Sequence, residues 1–126
     1  MPKTVMVLED EPMLFDLLVE LLGLEGYKVT QPNSLENILS ELSANRPDAV
    51  LIDVHLKDAN GLDLLSKIRA DRDLKGLVVL LSSGNDYRQE SVRRGADGFL
   101  MKPYMPEDLL ATLKQKTERL EGWRDA

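Results

Sequence analysis

Hydrophobic residues along the chain fall into two alternating patterns. Residues 4–8 (TVMVL), 49–52 (AVLI), 77–81 (LVVLL) and 99–101 (FLM) are short apolar runs, and 27–30 (YKVT) is a fifth short segment of the same kind. Runs of this length, bounded by turn residues, predict strands buried on both faces, as in a parallel sheet covered by helices. Between them apolar residues recur every three or four positions. The sets are Leu14, Leu17, Leu18, Leu21 and Leu22; Leu35, Ile38, Leu39 and Leu42; Leu62, Leu64, Leu65 and Ile68; and Leu109, Leu110, Leu113 and Leu120. Each predicts an amphipathic helix, and a shorter helix is expected over 86–94, stopping at Gly95 in the place of a C-terminal glycine. Pro12 suits the first turn of the first helix, Ser34 is the expected N-cap of the second, and Glu107 and Asp108 favour the dipole of the last. Strand and helix alternate five times. The expected fold is therefore α/β, a doubly wound five-stranded parallel sheet with helices on both faces.

With 126 residues the chain is long enough for one domain with its own core, expected over 1–121, leaving 122–126 as a tail or the start of a linker. Hydrophobic residues at 43% beside 30% charged argue against disorder, and the absence of cysteine excludes disulfides and cysteine-bound zinc. No apolar run approaches the roughly 18 residues of a membrane helix, and the N-terminal MPKTVMVLEDEP lacks a signal peptide's apolar core. A soluble cytoplasmic location is expected. The formal charge of -6 repels a phosphate backbone, so a divalent cation or a protein partner suits this segment better than nucleic acid.

The candidate chemistry lies where strands end. The first apolar run meets Glu9, Asp10 and Glu11; the third meets Asp53; the fourth meets Ser82 and Ser83; the last meets Lys102. In a parallel sheet these ends share one edge, the edge where open α/β sheets bind ligands. Taken alone, Asp53 would also serve as strand-ending turn punctuation. Converging carboxylates repel one another unless protonated, neutralised by a cation or bound to metal, and hard oxygen donors of this kind suit Mg²⁺. Lysine and serine can hold phosphate oxygens. With charge drawn off by a metal, a carboxylate can attack phosphorus, and Asp53 is best placed for that role.

The motifs VLEDEP (7–12), LIDVHL (51–56) followed by Gly61, LVVLLS (77–82) and GADGFLMKPY (95–104) together resemble the receiver domain of two-component response regulators over essentially the whole chain. The resemblance implies a flavodoxin-like sheet of strand order 2-1-3-4-5. It implies that Asp53 accepts a phosphoryl group from a sensor histidine kinase or phosphotransfer protein. Glu9, Asp10, Asp53 and the backbone carbonyl of His55 would hold Mg²⁺. Ser82 would follow the phosphoryl group, Lys102 would contact it, and Phe99 would turn inward as the signal spreads. The bond from Lys102 to Pro103 is expected to be cis. Output would pass to a downstream partner or effector domain, and a homodimer would use helix 4, strand 5 and helix 5.

Some residues depart from the family pattern. Lys57 stands where the family often has proline. Ser82 is preferred as the switch hydroxyl because it follows an unbroken apolar strand and is followed by small Ser83, although Ser83 before Gly84 also fits. The segment between these serines and Gly95 is shorter than is usual in the family, so the fourth helix is expected to be short. The lone histidine, His55, reads as a bystander rather than a side-chain ligand, placed to tune phosphate lifetime. Met13, Phe15 and Met105 are candidates for a kinase-docking surface; Met6 and Met101 read as packing. Two alternatives remain: a pseudo-receiver acting as a constitutive binding module, and a metal-dependent aspartyl-phosphate phosphatase, which would want a second acid where His55 stands. The chain is not expected to be an enzyme beyond its own phosphorylation and dephosphorylation.

Overall fold

Residues 3–118 are described by the computed structural model, and across them strand and helix alternate throughout. The elements are β1 (Lys3–Leu8), α1 (Pro12–Leu24), β2 (Tyr27–Thr30), α2 (Ile38–Asn45), β3 (Ala49–Asp53), α3 (Gly61–Ala70), β4 (Val78–Ser83), α4 (Arg88–Arg93), β5 (Gly98–Met101) and α5 (Pro106–Thr117). All paired strands are parallel, in the order β2-β1-β3-β4-β5, so the flavodoxin-like architecture is the one expected. Leu120 and the tail 122–126 lie outside the described residues. Among those described, no helix is long and apolar enough to cross a membrane.

The two-residue period of the strands divides the core between the faces. Val5, Val7, Ala49, Leu51, Val78, Leu80 and Leu100 pack with Leu18 and Leu22 of α1 and Leu109 and Leu113 of α5. Met6, Leu8, Val50, Ile52, Val79 and Leu81 pack on the other side, with Ile38 and Leu42 of α2 and Leu62, Leu65 and Ile68 of α3. Both faces of β3 and β4 are buried, which is why their sequences are continuous apolar runs rather than alternating ones.

Two aspartates set where strands begin. Asp48 donates its N–H to the Thr4 carbonyl (2.8 Å), while its carboxylate accepts the Thr4 N–H (2.6 Å). Asp97 repeats the device between β5 and β4, donating to the Val79 carbonyl (2.8 Å) and accepting the Val79 N–H (2.9 Å). Arg69 reinforces the second clamp by donating to Asp97 (2.9 Å) and to the carbonyls of Gly95, Lys75 and Leu77.

Three boundaries differ from those the sequence predicts. Helix α2 starts at Ile38 rather than after Ser34, because the Glu41 carboxylate accepts the N–H groups of Asn33 (2.9 Å) and Ser34 (3.1 Å) and holds them in a turn outside the helix. The Ser34 hydroxyl accepts only the Glu36 N–H (3.2 Å), within that turn. Helix α4 is confined to Arg88–Arg93, preceded by a turn in which the Asp86 carboxylate accepts the Arg88 N–H (3.0 Å), and Gly95 follows its end as expected, at φ +100°. Strand β4 continues through both serines. Asn60, not singled out by the pattern, caps α3, accepting from the N–H groups of Leu62 and Asp63.

Candidate functional site at the carboxyl edge of the sheet

Counting by twos along four strands leads to one cluster. Val7, Leu51, Leu80 and Leu100 all belong to the core shared with α1 and α5. Two residues after each stand Glu9, Asp53, Ser82 and Lys102, on the same face at the carboxyl edge. Asp53 and Ser82 are register partners, and the Val54 N–H donates to the Ser82 carbonyl at 2.9 Å. The Lys102 N–H donates to the Ser83 carbonyl at 2.8 Å, which fixes where its side chain departs. Its Nζ lies 2.8 Å from Glu9 Oε1 and 3.0 Å from Asp53 Oδ2, one ammonium bridging two carboxylates. These pairs are shielded, with side-chain exposures of 22% for Lys102, 6% for Glu9 and 12% for Asp53. The bond from Lys102 to Pro103 is cis, as expected.

The same parity separates the two serines. Ser82 shares the face of Asp53, whereas Ser83 continues the series Val79, Leu81 and lies on the side of Phe99, where its hydroxyl accepts the Asn85 N–H (3.1 Å). Both are buried. Phe99 is half-buried beneath the Arg88 guanidinium, 5.7 Å from the ring centroid. The exposed His55 donates its backbone N–H to Asp53 Oδ1 (3.1 Å), and its ring meets the ring of Tyr87. Asp10 is exposed and accepts the N–H of Lys57, across the loop that follows Asp53. The structure thus brings Glu9, Asp53, Ser82 and Lys102 together, sets Asp10 and the His55 backbone at the margin, and leaves Phe99 on the opposite face. Tyr87 joins this neighbourhood without any motif announcing it; a lone aromatic in the polar stretch NDYRQ was the available signal.

Among the described residues no three side chains of His, Asp or Glu are already gathered tightly enough to enclose a metal, since Lys102 lies between Glu9 and Asp53 and Asp10 faces the Lys57 amide. The donor set nevertheless fits Mg²⁺ chemically. Three carboxylates against one ammonium leave excess negative charge, and every donor is a hard oxygen.

Burial alone would lower the pKa of Lys102, but its hydrogen bonds to Glu9 and Asp53, with the charges of the same two acids, more than offset that, and the net shift is upward. Lys102 therefore stays cationic throughout the neutral range, and its stabilising contribution is lost only as pH rises beyond the ordinary lysine value. Tyr104 lies beside this pair and is pushed up to about 12, chiefly by burial, with Lys102 opposing and Glu9 and Asp53 adding to the rise. The folded protein thus holds the phenol proton more tightly than the unfolded chain does. This contribution to stability is complete below pH 10 and is lost between 10 and about 12. Subtracting the phenolate absorbance titration of Tyr104→Phe from that of the unsubstituted protein is expected to leave a curve with its midpoint at about 12, and a midpoint near the ordinary tyrosine value would contradict the burial argument.

An apolar groove of about 670 Å³ opens beside the site, lined by Glu11, Met13, Leu14, Leu17, Lys102, Pro103 and Tyr104. Met13 is 80% exposed and Met105 57%, while Phe15 turns partly into the core under α1 and α5. Behind Asp53, the start of α3 presses against the end of β3. The Gly61 N–H donates to the Val54 carbonyl (2.8 Å), and the Gly61 Cα lies so near that strand that a Cβ would overlap its backbone.

The chain belongs to the response regulator receiver domain family, whose model matches residues 5–114. It is 32% identical over 118 residues to the nitrate/nitrite response regulator protein NarL of Escherichia coli K12, covering 90% of this chain and 54% of that protein. It is 30% identical over 123 residues to the DNA-binding response regulator MtrA of Mycolicibacterium smegmatis, covering 96% and 53%. The chain therefore spans about half the length of these curated relatives. A crystal structure described as a response regulator from Chloroflexus aurantiacus superposes with a TM-score of 0.86 at 28% identity, covering 94% of this chain and all of that one. The receiver domain of the sensor histidine kinase PA1611 from Pseudomonas aeruginosa, described with a magnesium ion coordinated in its active-site cleft, shares the fold (TM-score 0.82, 21% identity, 94% and 99% covered).

Proposed function

We propose that this receiver domain is a phosphorylation-driven switch with Asp53 as its phosphoacceptor. The observation that carries the reading is the Lys102 ammonium bridging Asp53 and Glu9 at the carboxyl edge of the sheet. It supplies a fixed positive charge beside the one carboxylate that ends a central strand.

The donor is a phosphohistidine of a sensor histidine kinase or phosphotransfer protein. An oxygen of Asp53 attacks phosphorus, the phosphorus–nitrogen bond to the donor imidazole breaks, and its electron pair leaves with the imidazole nitrogen. Lys102 meets the charge of the incoming phosphoryl group and the Ser82 hydroxyl donates to one of its oxygens. Glu9, Asp10, Asp53 and the His55 carbonyl would hold Mg²⁺, which when bound offsets the negative charge brought together at the transfer. The groove along Met13, Leu14 and Leu17 receives the donor protein. The signal leaves by the face formed from α4, β5 and α5, with Phe99 responding to the state of Asp53, and passes to a downstream partner, an attached effector domain or a second copy.

Incubation with acetyl phosphate tests this directly by intact mass. A gain of one phosphoryl group that requires Mg²⁺ supports the switch. No gain under any condition overturns it and favours a constitutive binding module. Within the same assay Lys102→Ala is expected to accept phosphate about 100-fold more slowly, the loss typical of removing one preorganised charge from a transferring oxyanion. An unchanged rate would remove Lys102 from the mechanism.

A further inference from the structure

The rings of His55 and Tyr87 meet across the mouth of the site, with centroids 5.4 Å apart and planes at 64°, the edge-to-face arrangement that aromatic quadrupoles favour. Each ring is anchored to a different part of the switch. His55 is held to the phosphoacceptor by its N–H on Asp53 Oδ1 and, from the other side, by a bridge to Asn60, the cap of α3. Tyr87 immediately precedes α4, accepts the Ser91 N–H on its carbonyl (2.8 Å) and packs on the core beneath α3. The next residue, Arg88, covers Phe99.

The internal side-chain pairs of helix α4, Glu90 with Arg93 and Arg94, lie in its C-terminal half and leave its start to other contacts. The helix has six residues, far short of the length at which a helix sustains itself, and its buried Ser91 hydroxyl finds no hydrogen-bond partner among the described residues. The position of such a helix depends on what grips its ends. At the N-terminal end the grips are Arg88 over Phe99, the packing of Tyr87 on the core and the Tyr87 ring against His55, and the last of these reaches the loop that follows Asp53.

We propose that the His55–Tyr87 contact is a second link from Asp53 to the face formed by α4 and β5, separate from Ser82, and that Tyr87 is a positioning residue for the phosphoacceptor loop. The inference rests on the function proposed above and adds a route to it. A phosphoryl group on Asp53 alters the carboxylate that receives the His55 N–H, so the ring behind that N–H moves and takes the start of α4 with it. In the reverse direction, the grip of Tyr87 holds the His55 loop beside the acyl phosphate and restricts the approach of water.

The test compares Tyr87→Ala, Tyr87→Phe, His55→Ala and the double alanine variant. In the unphosphorylated protein, amide chemical shifts are expected to change at 54–56 when Tyr87 is truncated and at 88–93 when His55 is truncated. Tyr87→Phe, which keeps the ring, leaves both sets in place. In the phosphorylated protein each alanine shortens the acyl-phosphate lifetime about fivefold, the scale of one aromatic pair, and the double variant shortens it no further. The link is overturned if Tyr87→Ala leaves the His55 region unshifted, or if the two alanines multiply in their effect on lifetime. Should the unsubstituted protein accept no phosphoryl group, the function proposed above falls, while the shift comparison still decides whether the link exists.

Discussion

Asp53→Asn is expected to gain no phosphoryl group from acetyl phosphate under conditions in which the unsubstituted chain gains one, and to remain folded while failing. The amide has nearly the shape of the carboxylate, so an oxygen remains for the His55 N–H, and Lys102 keeps its 2.8 Å partner in Glu9. What is lost is the nucleophile, because an amide oxygen has too little basicity to displace a leaving group from phosphorus. The stability change should stay within about 1 kcal/mol, because the amide oxygen can still accept from Lys102, the ammonium keeps Glu9, and the loss of one charge relieves repulsion between Asp53 and Glu9. Intact mass reads the chemistry and the urea midpoint reads the fold. A variant that still gained one phosphoryl group would move the acceptor to another acid of the cluster.

Gly61→Ala is expected to lower stability by about 3 kcal/mol, a change of about 150-fold in the folding equilibrium, although it adds a single methyl group. A Cβ at that position would lie 2.5 Å from the Asp53 carbonyl oxygen, 2.9 Å from Val54 Cα and 3.0 Å from the Asp53 carbonyl carbon. All three are backbone atoms, and no rotamer change can move them aside. Either α3 backs away from the sheet, loosening the contacts of Leu62 and Leu65, or the end of β3 shifts and takes Asp53 with it. Phosphoryl uptake should therefore fall together with the denaturation midpoint. Gly23→Ala provides the contrast, because nothing lies within 4 Å of its would-be Cβ and it sits on the exposed face near the end of α1. There, exchange of glycine for a better helix former is expected to be neutral or mildly stabilising. Equal urea midpoints for Gly61→Ala and the unsubstituted protein would sink the close-approach argument.

Much of this architecture was legible before any coordinates. Continuous apolar runs identify β3 and β4 because strands buried on both faces have no polar side to show, and the acids and lysine at the strand ends converge because parallel strands share one edge. The choice between Ser82 and Ser83 was left open by motif alone. Parity places Ser82 on the face of Asp53 and Ser83 on the other once Leu80 lies beneath α1 and α5, which supports Ser82 in the role proposed for it. What stayed hidden depends on pairs far apart in sequence or on competition for the same backbone groups. Ser34 looks like a cap, but Glu41 claims the turn in which it sits. Asp86 is a fair helix start by composition, yet its carboxylate closes a turn onto Arg88 and the helix begins two residues later. The approach of Tyr87 to His55 joins two loops on different strands, and no local pattern encodes it.

The paired aspartates at the entrances to β3 and β5 have a consequence for how the chain finds its reading frame. A central strand that is apolar on both sides carries almost no information about alignment: slide it by one residue and greasy positions still meet greasy positions, a slip that an alternating strand would punish at once. Asp48 and Asp97 supply the missing punctuation. Each engages both the donor and the acceptor of one residue on the neighbouring strand, so a slip leaves a carboxylate and an amide without their counterparts together. Five residues downstream of each, that alignment decides whether Asp53 and Lys102 arrive on the same side of the sheet, so the letters that write the site begin at its opposite end.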